Sequence, residues 1–176
     1  RFNLYAGRRG GVMSDDTYFA GAVRNNKEEI NEQRRIIDNL PLVLKVLDSI
    51  PTTLILLNQN RQAVYCNKSF IEMLGLTDDD QIIGLRPGEV LNCVNALSAP
   101  SGCGTGLFCR FCPAVNAILE SIKGESITTE CKINILKNNE HDFVELRITA
   151  IPLYFDDTQF VCFSISNIID IKRFNL

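Results

Sequence analysis

The sequence predicts an α+β fold, and three observations carry that prediction. A helical hydrophobic period runs through the first third of the chain, a period of two takes over in the last third, and short apolar runs broken by glycine and proline lie between them. The expected order is helix, two strands, short helices, a longer helix, then three strands. Together the strands form a five-stranded antiparallel sheet with short helices on one face, preceded by an N-terminal amphipathic helix.

Residues 1–12, RFNLYAGRRGGV, are rich in glycine and arginine, carry no period, and are expected to be a flexible arm or an expression remnant. Residues 13–48 form the helical segment. Val23, Ile30, Ile37 and Leu44 recur every seven residues, with Leu40 and Leu47 adding a second seam, which is the signature of a short coiled coil. Such a seam either joins two copies of the chain or packs on its own domain. Pro41 divides it into two helical pieces, with Asn39 as a cap just ahead of the second.

After Pro51 the period changes. Residues 53–57 and 63–66 are β-rich and flank the polar turn Asn58-Gln59-Asn60-Arg61, which predicts a hairpin. Residues 68–74 and 78–83 read as short helices punctuated by Gly75 and Gly84. A longer helix runs from Phe111 or Pro113 to Ile122, with Pro113 suited to its first turn and Gly124 ending it. In residues 129–135 and 144–150 apolar and polar side chains alternate, so each strand keeps one wet face. Turns at 137–140 and 156–157 lead into a last strand at about 159–166.

Composition bounds the function. With 176 residues, 45% hydrophobic, 22% charged and a net charge of -3, the chain is an ordinary globular protein with no basic field demanding nucleic acid. No apolar run approaches the ~18 to 20 residues of a membrane helix, and the N-terminus lacks the order of a signal peptide, so a cytoplasmic location is expected. There is no phosphate-binding glycine loop or kinase motif, and the single histidine, His141, falls in an expected turn, so no enzyme is predicted in this chain.

The cysteines are unevenly placed. Of seven, four lie in NCVNALSAPSGCGTGLFCRFCP, at Cys93, Cys103, Cys109 and Cys112. An odd number without a secretory signal argues against a disulfide framework and for metal or redox chemistry. The spacing C-x9-C-x5-C-x2-C offers four soft thiolates, and Gly102, Gly104 and Gly106 free the backbone to aim N–H groups at bound sulfur. Iron-sulfur, zinc, a thiol-disulfide switch using a pair such as Cys109 and Cys112, and no ligand at all remain open on spacing alone. Cys66, Cys131 and Cys162 fall in strands, where burial as small hydrophobes is expected.

The stretch ILLNQNRQAVYCNKSFIEMLGLTDDDQIIGLRPGE resembles the first hairpin and the following N-x-x-F helix signal of a PAS domain, carried by Asn67, Phe70, Met73 or Leu74, and Gly75, with Gly84 closing the next short segment. At the far end SISNIIDIKRF is similar to the segment that joins PAS domains to a signalling helix, with Asn167 and Ile169 departing from the usual Asp and Thr. The resemblance spans about 46–173, and the domain is placed at 49–173 with a cysteine-rich insertion at about 87–113. It implies a sensory module of a larger signal-transduction protein, such as a histidine kinase or related regulator, passing its signal to an output domain and dimerising through its N-terminal helix.

The resemblance also orders the ligands. Haem lacks a histidine on the helical flap. Flavin fails on register, since counting from Gly84 puts Pro87 rather than Cys109 at the reactive position. The four-cysteine set resembles an insertion in some bacterial PAS sensors that holds an iron-sulfur cluster responding to oxygen or redox state. Here Cys93, Cys103, Cys109 and Cys112 would be the ligands, of a 4Fe-4S rather than a 2Fe-2S cluster, and the helix beginning near Pro113 would carry the response. The alternative is a non-catalytic dimerisation module with structural zinc, a thiol switch or no ligand.

Overall fold

The computed structural model describes residues 16–155 and 157–167. The first helix, α1 (Lys27–Asp38), starts later than its period suggests because a capping box sets its beginning. Asn26 Oδ1 accepts from Glu29 N–H at 3.0 Å, and the Glu29 carboxylate accepts from Asn26 N–H at 2.7 Å. Residues ahead of the box are non-helical, so Val23 is an exposed residue outside the seam. Asn39 is the C-cap of α1 rather than the N-cap of the next helix, whose cap is Leu40. That helix, α2 (Pro41–Ser49), has proline in its first turn as expected.

β1 (Thr53–Leu57) and β2 (Ala63–Cys66) pair antiparallel as the expected hairpin. α3 (Lys68–Leu74) ends at Gly75. The next stretch forms turns in place of the expected helix. Asp80 N–H bonds the Asp78 side chain at 3.1 Å and Ile82 N–H the Asp79 carbonyl at 2.8 Å, local bonds that compete with a helical ladder. Two four-residue helices follow, α4 (Pro87–Val90) and α5 (Val94–Leu97), then a 3-10 turn at Leu107–Phe111. α6 (Pro113–Ile122) is the longer helix the sequence predicts.

The last three strands are β3 (Ile127–Lys137), β4 (Glu140–Phe155) and β5 (Thr158–Asn167). The sheet has five strands in the order β2-β1-β5-β4-β3, each pair antiparallel. Asn138 and Asn139, at φ 52° and 65°, make the reversal between β3 and β4 with the hand that suits twisted strands. His141 lies in β4 rather than in the turn, exposed, with Nδ1 3.1 Å from Asn134 Oδ1. The arm expected at 1–12 and the exit segment beyond 167 lie outside the described residues. Among the described residues no helix is long and apolar enough to cross a membrane.

The short helices cover one face of the sheet, as expected, and the N-terminal helices α1 and α2 cover the other. On one face Ile55, Leu57 and Phe163 pack with Phe70, Leu74 and Ile118 of α3 and α6. On the other, Leu56, Val64 and Phe160 pack with Ile30 and Ile37 of α1, and Leu44 and Leu47 join from α2. The seven-residue seam is therefore used inside the chain. The reason is visible in β1, four of whose five residues are buried, so both of its faces need cover.

Asn67 joins the pieces. With no exposed surface, its Oδ1 accepts from Phe70 N–H and Leu54 N–H at 3.1 Å each, capping α3 and holding β1. Its Nδ2 donates to the carbonyls of Leu47, Ile50 and Thr52 at 3.1, 3.3 and 2.9 Å, where α2 runs into β1. Asn67→Ala leaves these groups buried without partners and is expected to lower unfolding free energy by about 3 kcal/mol or more, measured by denaturant unfolding. Asn67→Asp, which keeps the acceptor only, should fall between.

Candidate functional site

The cysteine-rich segment folds over one end of the sheet and is clipped there by its own backbone. Cys93 forms a bridge to Ile135 of β3, and Leu136 N–H donates to the Asn92 carbonyl at 3.0 Å, so the start of α5 covers an edge strand. Cys93 N–H donates back to Gly88 of α4 at 2.7 Å. Gly88 is required here by close approach, since a Cβ on it would meet Cys103 Sγ at 2.8 Å. Cys109 sits in the 3-10 turn, and Cys112 N–H closes that turn on the Cys109 carbonyl at 3.1 Å. Cys112 is then the N-cap of α6, and its carbonyl accepts from Asn116 N–H and Nδ2 at 3.1 and 2.9 Å.

A charged hub holds the loop from behind. Arg86, with no exposed surface, sends Nη1 to the carbonyls of Ser101 and Cys103 at 3.2 and 3.3 Å and Nε to that of Asn60 at 3.0 Å. Its Nη2 reaches the carbonyls of Gly21, Ala22 and Val23 at 3.3, 3.2 and 2.8 Å. The Glu89 carboxylate accepts from Cys103 N–H at 3.1 Å and Arg86 N–H at 3.0 Å, and it pairs with the Arg24 guanidinium. Tyr18 N–H and Ala20 N–H bond Thr105 and Gly104 at 2.9 and 3.0 Å. The approach to α1 is thus fastened directly to the cysteine loop.

Between this loop, α6 and the sheet lies a cavity of about 440 Å³. Cys93, Cys103, Cys109 and Cys112 all line it, so the fold brings together the four cysteines that the sequence singles out. A fifth joins them. Cys131, on the inward face of β3, is buried as expected, yet it also lines the cavity and hydrogen-bonds Cys112. Its signal in the sequence is the alternation of β3, which points residue 131 inward without saying what lies opposite. Leu146, Ile148 and Phe163 form an apolar floor, and Phe108, Phe111 and Phe143, all exposed, stand at the rim. Cys66 is buried in the core and Cys162 partly buried, both outside the cavity.

The thiols are not equivalent. The Cys131 thiol donates to Cys112, and this hydrogen bond holds Cys112 below the ordinary thiol range against the opposing effect of burial. The same bond, with burial, drives Cys131 strongly upward. Burial pushes the Cys103 thiol up to about 12 and raises Cys93 as well.

The metal chemistry can be tested against this arrangement. A closed zinc site needs four sulfurs about 2.3 Å from one point. Among the described residues no three His, Cys, Asp or Glu side chains are grouped so as to hold a single ion. The four cysteines line one cavity. Cysteine thiolate is the donor type of thiolate-held metal.

A family model described as PAS domain matches residues 42–108. Among solved structures, the chain is similar to the PAS domain of a protein from Colwellia psychrerythraea at 12% identity, covering 73% of this chain and 95% of that one with a TM-score of 0.50. It is also similar to the PAS domain of BvgS from Bordetella pertussis (13% identity, 77% and 93% covered, TM-score 0.48). The PAS domain of an HTR-like protein from Haloarcula marismortui is similar at 9% identity (78% and 98% covered, TM-score 0.48). No curated protein matches this chain in sequence.

In the metal-free protein, iodoacetamide at pH 7 is expected to label Cys112 ahead of Cys93 and Cys103, read by mass spectrometry. Because its pKa is held low, its rate should change little between pH 8 and pH 7. Cys131→Ala should slow its labelling by about 5- to 10-fold at pH 7. Equal labelling of the three, indifferent to Cys131, would contradict this electrostatic picture.

Proposed function

We propose that this chain, which carries a PAS domain, senses oxygen or redox state through an iron-sulfur cluster held by Cys93, Cys103, Cys109 and Cys112. One observation carries the reading: four cysteines from a single glycine-rich segment line one cavity. Four thiolates suit a 4Fe-4S rather than a 2Fe-2S cluster, and such a centre supplies reversible one-electron chemistry and lability to oxygen. The chain's own residues hold and isolate it. Cys131 donates to Cys112, stabilising negative charge on that sulfur, while Leu146, Ile148 and Phe163 exclude water from below.

Two routes lead outward from these sulfurs. Cys112 caps α6, which packs on the sheet, and Cys103 is tied through Glu89 and Arg86 to the backbone at 21–23, just ahead of α1. A change in the ligand set therefore bears on both the sheet and the N-terminal helices, and through them on an output domain. A homodimer through the N-terminal helices is part of the proposal. With Ile30 and Ile37 used inside the chain, the stripe left for a second copy is Leu42 and Val46 of α2, which are 74% and 51% exposed. A cytoplasmic location, where thiols stay reduced, fits this chemistry.

The Cys112–Cys131 hydrogen bond favours a second reading, a thiol-disulfide switch at that pair in place of Cys109 with Cys112. Peroxide would take two electrons from the two thiols. An S–S bond would form, two protons would leave, and the peroxide would be reduced to water or alcohol.

Anaerobic purification and reconstitution should yield a brown protein with about four irons and four sulfides per chain. Serine at any of Cys93, Cys103, Cys109 or Cys112 should lower that content, while Cys66→Ser and Cys162→Ser should not. A colourless protein that takes up neither iron nor sulfide ends the cluster reading. In that case, loss of two hydrogens with a Cys112–Cys131 cross-link after peroxide treatment would establish the second.

A further inference from the structure

Arg61 is an unusual residue for its position. It lies in the reversal between β1 and β2 at φ 65°, a left-handed conformation that costs a residue with a side chain roughly 1 kcal/mol or more. Asparagine or glycine adopts it with less strain. The side chain is nevertheless turned inward and is 4% exposed. Its Nη2 donates to the Gly21 carbonyl at 2.7 Å, but its buried Nε has no hydrogen-bond partner among the described residues.

That unpartnered Nε faces the cysteine loop. A Cβ placed on Gly104 would come within 3.1 Å of Nε and 3.2 Å of Nη2, so the guanidinium lies against the backbone immediately after Cys103. Gly104, at φ 91°, is glycine both for that conformation and for this approach. Arg86 reaches the same stretch, donating to the Cys103 carbonyl at 3.3 Å. Arg24 stands beside them, and Glu89 is the one carboxylate bonded to any of the three among the described residues. Three guanidinium groups against one carboxylate leave two positive charges without an acidic partner.

Arg61 and Arg86 are both buried. Unpaired buried charge is costly, of the order of several kcal/mol per ion, so a balancing anion is called for. Cysteine binds metal as thiolate, so a metal centre at Cys103 and Cys109 supplies such an anion.

We propose that Arg61 and Arg86 are the counter-charges of the anionic centre at Cys103 and Cys109, and that Arg61 is a positioning residue that raises the reduction potential of that centre. The inference rests on the iron-sulfur reading above. Reduction adds negative charge to the bound centre, and a fixed cation in a desolvated site stabilises the reduced state more than the oxidised one. The Arg61 charge acts across the Gly104 backbone, where water does not screen it.

The test is a potentiometric titration of the anaerobically reconstituted protein, followed by visible absorbance. Arg61→Asn removes the charge while easing the backbone, Arg61→Gln is a second uncharged variant, and Arg61→Lys keeps the charge. The uncharged variants should lower the equilibrium constant for reduction about tenfold, which is about 59 mV for a one-electron couple. Arg61→Lys should stay within about twofold of wild type. Glu89→Gln, which deletes the one carboxylate, should shift the equilibrium in the opposite direction; it also serves if the uncharged Arg61 variants do not fold. Mere structural disturbance would move both sets alike. Normal cluster content with an unchanged potential in the Arg61 variants, or a Glu89→Gln shift downward, overturns the counter-charge role and leaves the cluster reading standing. A wild-type protein that takes up no iron or sulfide overturns the cluster reading, and this inference with it.

Discussion

The Arg86 guanidinium, wholly buried, gathers the carbonyls of Asn60, Ser101, Cys103, Gly21, Ala22 and Val23 around its five N–H donors. Those carbonyls belong to the hairpin turn, the cysteine loop and the approach to α1, three segments far apart in sequence. None of the three is regular structure at that point, so none can satisfy its backbone groups internally. A planar cation with fixed donors answers all of them at once, and Glu89 orients it by accepting from its backbone N–H. Without that centre the cysteine loop would have no wall behind it.

The site follows from how the sheet is covered. β1 is buried on both faces and lies at the heart of two cores, one under α3 and α6 and one under α1 and α2. Over β3 and β4, α6 is joined only by the short helices α4 and α5 and the 3-10 turn. Elements of four or five residues cannot fill the space above Leu146 and Ile148, and a cavity remains. The cysteines occupy the elements that bound this gap. Their backbone is anchored, to β3 at Cys93, to Gly88 by close contact at Cys103, and to α6 at Cys112. The loop is therefore a lid whose inner surface is sulfur, joined at one end to a helix on the sheet and at the other to the approach to α1.

Where sequence reasoning missed, a local bond or a long-range contact overrode the pattern. The seven-residue period of Val23, Ile30, Ile37 and Leu44 suggested a helical segment over 13–48, but the Asn26–Glu29 box starts the first helix at Lys27 and leaves Val23 outside. The aspartates at 78–80 use their side chains locally, so the apolar spacing of that stretch does not become a helix. The sequence marks Arg61 only as part of a polar turn and gives Arg86 no role. Their burial depends on segments 40 to 65 residues away, and nothing adjacent in the chain announces it. The identity of Cys131 as a cavity residue was hidden for a related reason: alternation tells which face a side chain takes, not which part of that face the helices leave open.

By itself the sequence determined the order of elements, the hairpin of β1 and β2, the inward and outward faces of β3 and β4, the start of α6 at Pro113, and the grouping of Cys93, Cys103, Cys109 and Cys112. Each of these is a local matter of period, capping or turn chemistry, settled within a few residues. Tertiary structure alone decided that α1 packs on the back of the sheet, that a fifth cysteine meets the four, and that an excess of buried positive charge lies behind Cys103. Those outcomes depend on which distant segments share a low-dielectric interior, and there the energy of a charge or a thiol is set by its neighbours in space rather than in sequence.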